Sequence, residues 1–245
     1  MSNRKKDLAL IDIFIGNIRQ NEYFSRSVIE NLQQTAYVYI SWFNQYILKE
    51  ERQQTLFLHI KSAIASICEK LDIDYVDKGF INDIAIIEAA FYNLNSIFCN
   101  QQTQEKQIIV QMLCHSLITY TCAFIEKLLR EFFIIENKGQ IYIDPNKITL
   151  GDLLGEQNKT MQQILGYDQL RCLRYFLHVD ENEVGENIRN KFAHFNGITP
   201  KDFQPNTVLK VLWLMLGIIN TLTINYLMAG SDNDGDATNG VNVSE

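Results

Sequence analysis

The sequence predicts an all-α protein, a helical bundle, and three observations carry that prediction. Proline is scarce, 3 in 245 residues with none before Pro145, and glycine numbers 12, so little in the chain interrupts long helices. Hydrophobic residues make up 47% and charged residues 21%, enough apolar material for a real core and too much for a disordered or collagen-like chain. Apolar side chains also recur every three or four positions over long stretches, the period of a helix face and not of a strand.

Val28, Leu32, Ala36, Tyr39, Phe43 and Tyr46 form the first such stripe. Leu56, Ile60, Ile64, Ile67 and Leu71 form a second, and Ile84, Ile87, Phe91, Leu94 and Phe98 a third. The longest is Ile109, Leu113, Leu117, Tyr120, Phe124, Leu128 and Phe132. The aromatic residues in these stripes (Trp42, Phe43, Tyr46) are read as core, because aromatics bury much area per residue. A polar stretch, Asn100 to Gln107, separates the third run from the fourth and sets a soft boundary, either a linker or a solvated first turn.

After Gly139 the texture changes. Ile141 to Ile143 reads as a short extended piece and Asp144-Pro145-Asn146 as a turn. Thr149 is the expected N-cap of a short helix with Asp152 in its first turn. Short helical pieces follow at 161–165 and 170–177, and a further helix is expected over Val184 to Phe195, stopping at Gly197. Pro200 and Pro205 punctuate the loop before a closing helix, about 207–228, and the tail from Ser231 is expected to be disordered. The resulting division is 1–103, an N-terminal helical region; 104–229, a second helical domain; and 230–245, an acidic tail.

Charge narrows the function. The net charge is −7, of which Asp232, Asp234, Asp236 and Glu245 in the tail supply four, leaving −3 on the body. A protein that coats duplex DNA would be basic, so any nucleic-acid contact here is local. The five cysteines (Cys68, Cys99, Cys114, Cys122, Cys172) are odd in number and form no C-x-x-C pair, which reads as buried thiols in a reducing compartment. Arg4, Lys5 and Lys6 precede an apolar stretch, but Asp7 and Asp12 interrupt it and no small-residue cleavage site follows, so a cytoplasmic location is expected. Val211 to Ala229 is apolar enough to imitate a membrane span. Asn220, Thr221, Thr223 and Asn225 interrupt it, and a buried core helix is expected instead.

Most enzyme classes fail on the sequence. There is no H-E-x-x-H or other metal spacing, no glycine-rich phosphate loop and no G-x-S-x-G elbow, so no metal or cofactor is expected. Of the histidines, His59 and His115 read as core residues on apolar helices. Three Arg-to-His spacings remain: Arg52 with His59, Arg171 with His178, and Arg189 with His194. Spacing alone does not choose among them; the surrounding wording does.

Gly185-Glu186-Asn187-Ile188-Arg189-Asn190-Lys191-Phe192-Ala193-His194 resembles the signature of the HEPN superfamily, whose members often read R-N-x-x-A-H. The longer stretch is similar to a branch of HEPN-like domains of unknown function. That branch carries a T-L-G-x-L-L element, a G-x-N-[LI]-R-N-x-x-A-H element and an apolar last helix. Here the first element is Thr149 to Leu154, and the resemblance spans about residues 104–229. The branch usually has Gly directly after the His, whereas this chain continues Phe195-Asn196-Gly197.

The resemblance implies a four- to five-helix bundle that dimerises and, in many members, a metal-independent endoribonuclease. That chemistry uses the RNA 2′-hydroxyl as nucleophile, leaving a 2′,3′-cyclic phosphate and a 5′-hydroxyl. It benefits from a base, an acid and a cation for the phosphorane. Histidine can act as acid or base near neutral pH, and arginine forks onto phosphate oxygens. One chain offers one such His194; a two-fold dimer would offer two, with two Arg189, at one composite cleft. DNA lacks the 2′-hydroxyl and would not be cut.

The expected catalytic residues are therefore Arg189, His194 and Asn190, with Lys191 and Asn187 as RNA-binding candidates. Residues five apart lie about 140° around a helix, so Arg189 and His194 converge only if Arg189 starts the helix or reaches across a dimer axis. Asn190 shares a face with His194 and is expected to orient it or the phosphate. Glu126, on the preceding long helix, could contact Arg189, although a surface pairing with Lys127 or Arg130 is the simpler expectation. Expected partners are RNA, a second copy of the chain, and an antitoxin or regulatory protein in a toxin or antiphage-defence setting, with no membrane. The alternative is a noncatalytic helical module that binds a nucleotide or protein.

Overall fold

In the computed structural model, the described residues are 50–98, 104–138, 144, 147–178, 185–194, 197–199 and 202–228. They form eight α-helices in the order α1 (Glu50–Lys70), α2 (Phe80–Phe98), α3 (Gln104–Glu136), α4 (Leu150–Leu154), α5 (Lys159–Leu165), α6 (Tyr167–Leu177), α7 (Ile188–His194) and α8 (Pro205–Thr223). A π-helical turn, Ile224–Met228, follows α8. No strand occurs among the described residues, and the all-α expectation holds. The first stripe (28–46), the extended piece at 141–143, Cys99 and the acidic tail lie outside the described residues.

The helices follow from their apolar periods. α1 buries Leu56, Phe57, Ile60, Ile64 and Ile67, and α2 buries Phe80, Ile84, Ile87, Phe91 and Leu94, each a single stripe facing a neighbour. A tight connection joins them: the Asp74 carboxylate accepts hydrogen bonds from the backbone N–H groups of Val76 and Asp77, and Gly79 takes a positive φ of 69° just before α2. Lys61 pairs with Glu88 across α1 and α2, and Lys127 with Asp83 across α2 and α3.

α3 is the hub, packing against α2, α4, α5, α7 and α8. At 33 residues it is about 50 Å long. Its buried set is wider than the expected stripe, because Cys114, Ile118, Cys122, Ile125 and Leu129 are buried beside Leu117, Phe124, Leu128 and Phe132. Two expected core positions, Ile109 and Tyr120, are instead exposed. They lie on the flank of α3 opposite its packed neighbours, where Met112 is exposed too.

α8 is buried almost all round its middle, from Val211 to Met215 and Ile218 to Leu222. By length and composition both Gln104–Glu136 and Pro205–Leu227 could cross a membrane. Here the two pack against each other in one hydrophobic cluster. That cluster also holds α1 and α2, so residues 50–98 and 104–228 share a core. Each fully buried Leu, Ile or Phe in it contributes about 1.5–3 kcal/mol. Cys68, Cys114, Cys122 and Cys172 are buried free thiols, as expected. Burial pushes Cys122 and Cys172 up to about 12.

Candidate functional site

α7 carries the Arg-Asn-Lys-Phe-Ala-His segment, and its start differs from the sequence expectation. The helix begins at Ile188, not at Val184, because Asn187 sits in the left-handed region at φ 50° and acts as its first carbonyl cap, bonded by the Lys191 N–H. Asparagine tolerates that conformation better than most residues. The segment before α7 is stitched down twice. The Glu186 N–H donates to the Tyr175 carbonyl at 2.9 Å, and the Glu186 carboxylate receives Lys210 of α8 at 2.6 Å. Ile188 and Phe192 are buried, and Phe192 packs against His115 of α3 and Phe203. His115 is thus part of an aromatic cluster, in line with its core reading.

These anchors run α7 antiparallel to α3 and bring Arg189 to Glu126. Arg189 Nη2 donates to Glu126 Oε2 at 3.1 Å, while Arg130 Nη2 donates to Glu126 Oε1 at 2.7 Å. Glu126 pairs with Arg130, though half-buried and not at the surface as the simpler expectation had it, and its other oxygen makes the sharper contact, with Arg189. Arg130 Nε also donates to the Ile148 carbonyl, tying this cluster to the entry of α4. The Glu126 side chain is 14% exposed and that of Arg189 is 29% exposed.

Arg189 Nη1 donates to Asn190 Oδ1 at 3.0 Å, and Asn190 Nδ2 lies 3.1 Å from His178 Nδ1. A guanidinium only donates, so the atom it meets must be the amide oxygen, and the amide NH₂ faces His178. His178 Nδ1 must then accept, which leaves the ring proton on Nε2. The Asn190 amide makes its hydrogen bonds to Arg189 and His178 and none to His194, so the orienting role toward His194 is not realised within one chain. His178, at the C-cap of α6, is the histidine that meets the Arg-Asn unit. Sequence reasoning set it aside, although the spacing from Arg171 to His178 had put it among the candidates.

His178 also explains a glycine. A Cβ at Gly151 would lie 2.8 Å from His178 Nε2, closer than real side chains approach. Gly151 is the glycine of Thr149-Leu150-Gly151-Asp152-Leu153-Leu154, so this element and the Arg-Asn element of α7 meet through one imidazole. α4 itself starts on a capping box: Asp152 N donates to Thr149 Oγ1, and the Asp152 carboxylate receives the Thr149 N–H and hydroxyl at 2.8 and 2.7 Å. Those two hydrogen bonds, the hydroxyl first, hold the Asp152 carboxyl below the usual carboxylate range.

The remaining expected site residues fall on either side of this network. His194 is exposed at the last position of α7. Arg189 is the second residue of the same helix, near the start position that convergence with His194 calls for. Lys191 lies beside Asp202, whose carboxyl accepts from the Thr199 N–H and hydroxyl. Asn187 caps α7 with its carbonyl, and its side-chain Oδ1 is buried without a hydrogen-bond partner. Among the described residues no group of three or more His, Cys, Asp or Glu is arranged to hold a metal ion. No protein-family model, curated protein or solved structure matches the chain.

Proposed function

We propose that the chain is an HEPN-like, metal-independent endoribonuclease that works as a two-fold dimer, with Arg189 and His194 of both copies at one composite cleft. The observation that carries this reading is the arrangement along α7. Arg189 is held by Glu126 and Asn190 yet its side chain stays partly exposed, while His194 stands in solvent at the other end of the same helix. The chemistry needs those two properties: a cation fixed in direction for the phosphorane, and an unburied imidazole able to give and take a proton. Supporting the dimer is the exposed apolar flank of α3, Ile108, Ile109, Met112 and Tyr120, on the helix against which α7 packs.

In the proposed reaction one His194 takes the 2′-hydroxyl proton, the 2′-oxygen attacks phosphorus, and the 5′-oxygen leaves with a proton from the second His194. Arg189 neutralises the phosphorane oxygens, with Asn190 as the residue that orients Arg189. A toxin or antiphage role in the cytoplasm, restrained by an antitoxin or regulatory protein, is the setting in which such cleavage would act.

A second reading, a noncatalytic binding module, is favoured by one specific feature: Arg189 is already committed to Glu126 and Asn190, as a purely structural arginine would be. Purified wild type and His194→Ala, incubated with RNA and matching DNA in excess EDTA, separate the two. The ribonuclease reading expects 2′,3′-cyclic phosphate ends on RNA from wild type and a loss of about 10²–10⁴-fold in His194→Ala. Equal cutting by both proteins removes His194 from the chemistry. No cutting by a folded dimer favours the binding module.

A further inference from the structure

Away from α7, the corner where α5 turns into α6 faces α8 across a cavity of about 170 Å³. Gly166, at φ 79°, makes that corner, and Tyr167 beside it is exposed at the cavity's rim. The wall is mostly apolar, built from Leu165, Leu173 and Trp213. An apolar cavity of about 150 Å³ accepts a benzene ring, so this one has room for a single ring.

Two donors line it. Gln169 Oε1 accepts from the Thr221 hydroxyl at 2.7 Å, which fixes the amide and turns its NH₂ away from Thr221. Gln169 Nε2 then lies 3.3 Å from where a Cβ on Gly217 would be, so the absence of a side chain at 217 leaves the amide lying across the helix. The Gln169 side chain makes no other hydrogen bond among the described residues. Trp213 is only 6% exposed, is braced edge-on by Phe176, and its indole N–H has no hydrogen-bond partner among the described residues. The acidic group at the rim, Asp168, disfavours an anion.

We infer that this cavity is a binding site for a small, uncharged, planar ring carrying a hydrogen-bond acceptor, with Gln169 Nε2 and Trp213 Nε1 as its donors. It is distinct from the α7 network: the cavity lies at the first turn of α6, and His178 lies at the other end, about 16 Å along the axis. The inference does not depend on the ribonuclease reading.

Benzamide, toluene and benzoate are suitable probes, titrated into the full chain while the Trp213 indole N–H resonance is followed by NMR. That resonance is assigned by its loss in Trp213→Phe. Benzamide should shift it saturably, toluene should bind about five-fold or more weakly for want of the acceptor, and benzoate should be weaker still. Gly217→Val, which fills the cavity, should abolish binding with the fold retained by circular dichroism. Gln169→Met, near in volume but lacking the donor, should bring benzamide down toward toluene, and it decides the matter if Gly217→Val does not fold. No saturable shift in wild type, or binding unchanged in either folded variant, would overturn the site. Toluene binding as tightly as benzamide would overturn the ligand class.

Discussion

Replacing Glu126 by Gln probes the network at its centre. One carboxylate serves two guanidinium groups, Arg130 at 2.7 Å and Arg189 at 3.1 Å, and its side chain is 14% exposed against 27% and 29% for the arginines. A hydrogen bond to a charged group contributes about 1.5–3 kcal/mol. The lower end applies here, because both arginines retain some water and a second acceptor each, Ile148 O for Arg130 and Asn190 Oδ1 for Arg189. Gln keeps one acceptor oxygen, worth about 1 kcal/mol, but cannot satisfy both cations and places an NH₂ against one of them. The net cost is about 2 kcal/mol. For a chain of this size that lowers Tm by about 4–8 °C. Urea denaturation of Glu126→Gln, Arg189→Gln and the double variant gives the coupling directly, expected at about 1 kcal/mol or more. A loss under about 0.5 kcal/mol for Glu126→Gln, or additive single variants, would refute the claim that Glu126 fixes Arg189.

Two further predictions concern α4. Gly151→Ala puts a methyl 2.8 Å from His178 Nε2, so the ring must move, and the expected loss is about 1–2 kcal/mol after the gain in helix propensity is set against overpacking. In a His178→Ala background the same change should be neutral or stabilising, and an unchanged cost there would show that the clash is not with His178. Thr149→Ala removes the capping box at a cost of about 1 kcal/mol near neutral pH. Because the Thr149 hydroxyl and N–H depress the folded Asp152 carboxyl, their contribution is present above the ordinary carboxylate range and is lost as pH falls through the folded value. The gap in stability between wild type and Thr149→Ala should therefore narrow as pH falls below about 4, leaving the part due to the Asp152 N–H bond to the Thr149 hydroxyl, read by denaturation across pH 2 to 7.

The fold class was legible because period and breaker scarcity are local signals. Ile84, Ile87, Phe91 and Leu94 were identified as a core face and are buried, since α2 turns one apolar stripe toward both α1 and α3 and leaves the rest of its surface to solvent. α3 departs from the same reading at Ile109 and Tyr120. Its buried face runs Val110, Cys114, Leu117, Thr121, Phe124, Leu128 and Phe132, one helical period set one position along from the apolar stripe at its start. Ile109 and Tyr120 fall on the apolar edge left exposed. The start of α7 was missed for another reason. Nothing in the composition of 184–187 forbids helix; the left-handed turn at Asn187 goes with the anchoring of Glu186 to Tyr175 and Lys210, which are tertiary contacts.

At the candidate site, Arg189, Asn190 and Glu126 were legible and do come together, whereas His178 was not chosen. Its ring is brought to Asn190 by the packing of α6 on α7 and α4, a relation between segments far apart in sequence. The one local trace of it was Gly151, a glycine inside a short helix with no turn to make. A glycine where helix propensity would prefer alanine points to a neighbour that needs the space, and here that neighbour is His178.

The hydrogen-bond order through this site leads to a prediction that does not depend on any assay of function. Arg189 Nη1 can only donate, so Asn190 must present Oδ1 to it and Nδ2 to His178, and His178 Nδ1 must carry a lone pair. Neutral His178 is accordingly the Nε2–H tautomer, with the Nε2 edge turned toward Gly151. Long-range ¹H–¹⁵N correlation spectra of ¹⁵N-histidine-labelled protein report the protonated nitrogen directly. Above neutral pH, His178 should show an unprotonated Nδ1 and a protonated Nε2. Asn190→Leu, which removes the amide but keeps similar bulk, should release that preference and leave the Glu126–Arg189 pair in place. A Nδ1–H tautomer in the wild type would mean that the amide faces the other way, and Arg189 could not then be donating to Asn190. The link from Glu126 to His178 would be broken at that bond, and with it the argument that Asn190 positions Arg189.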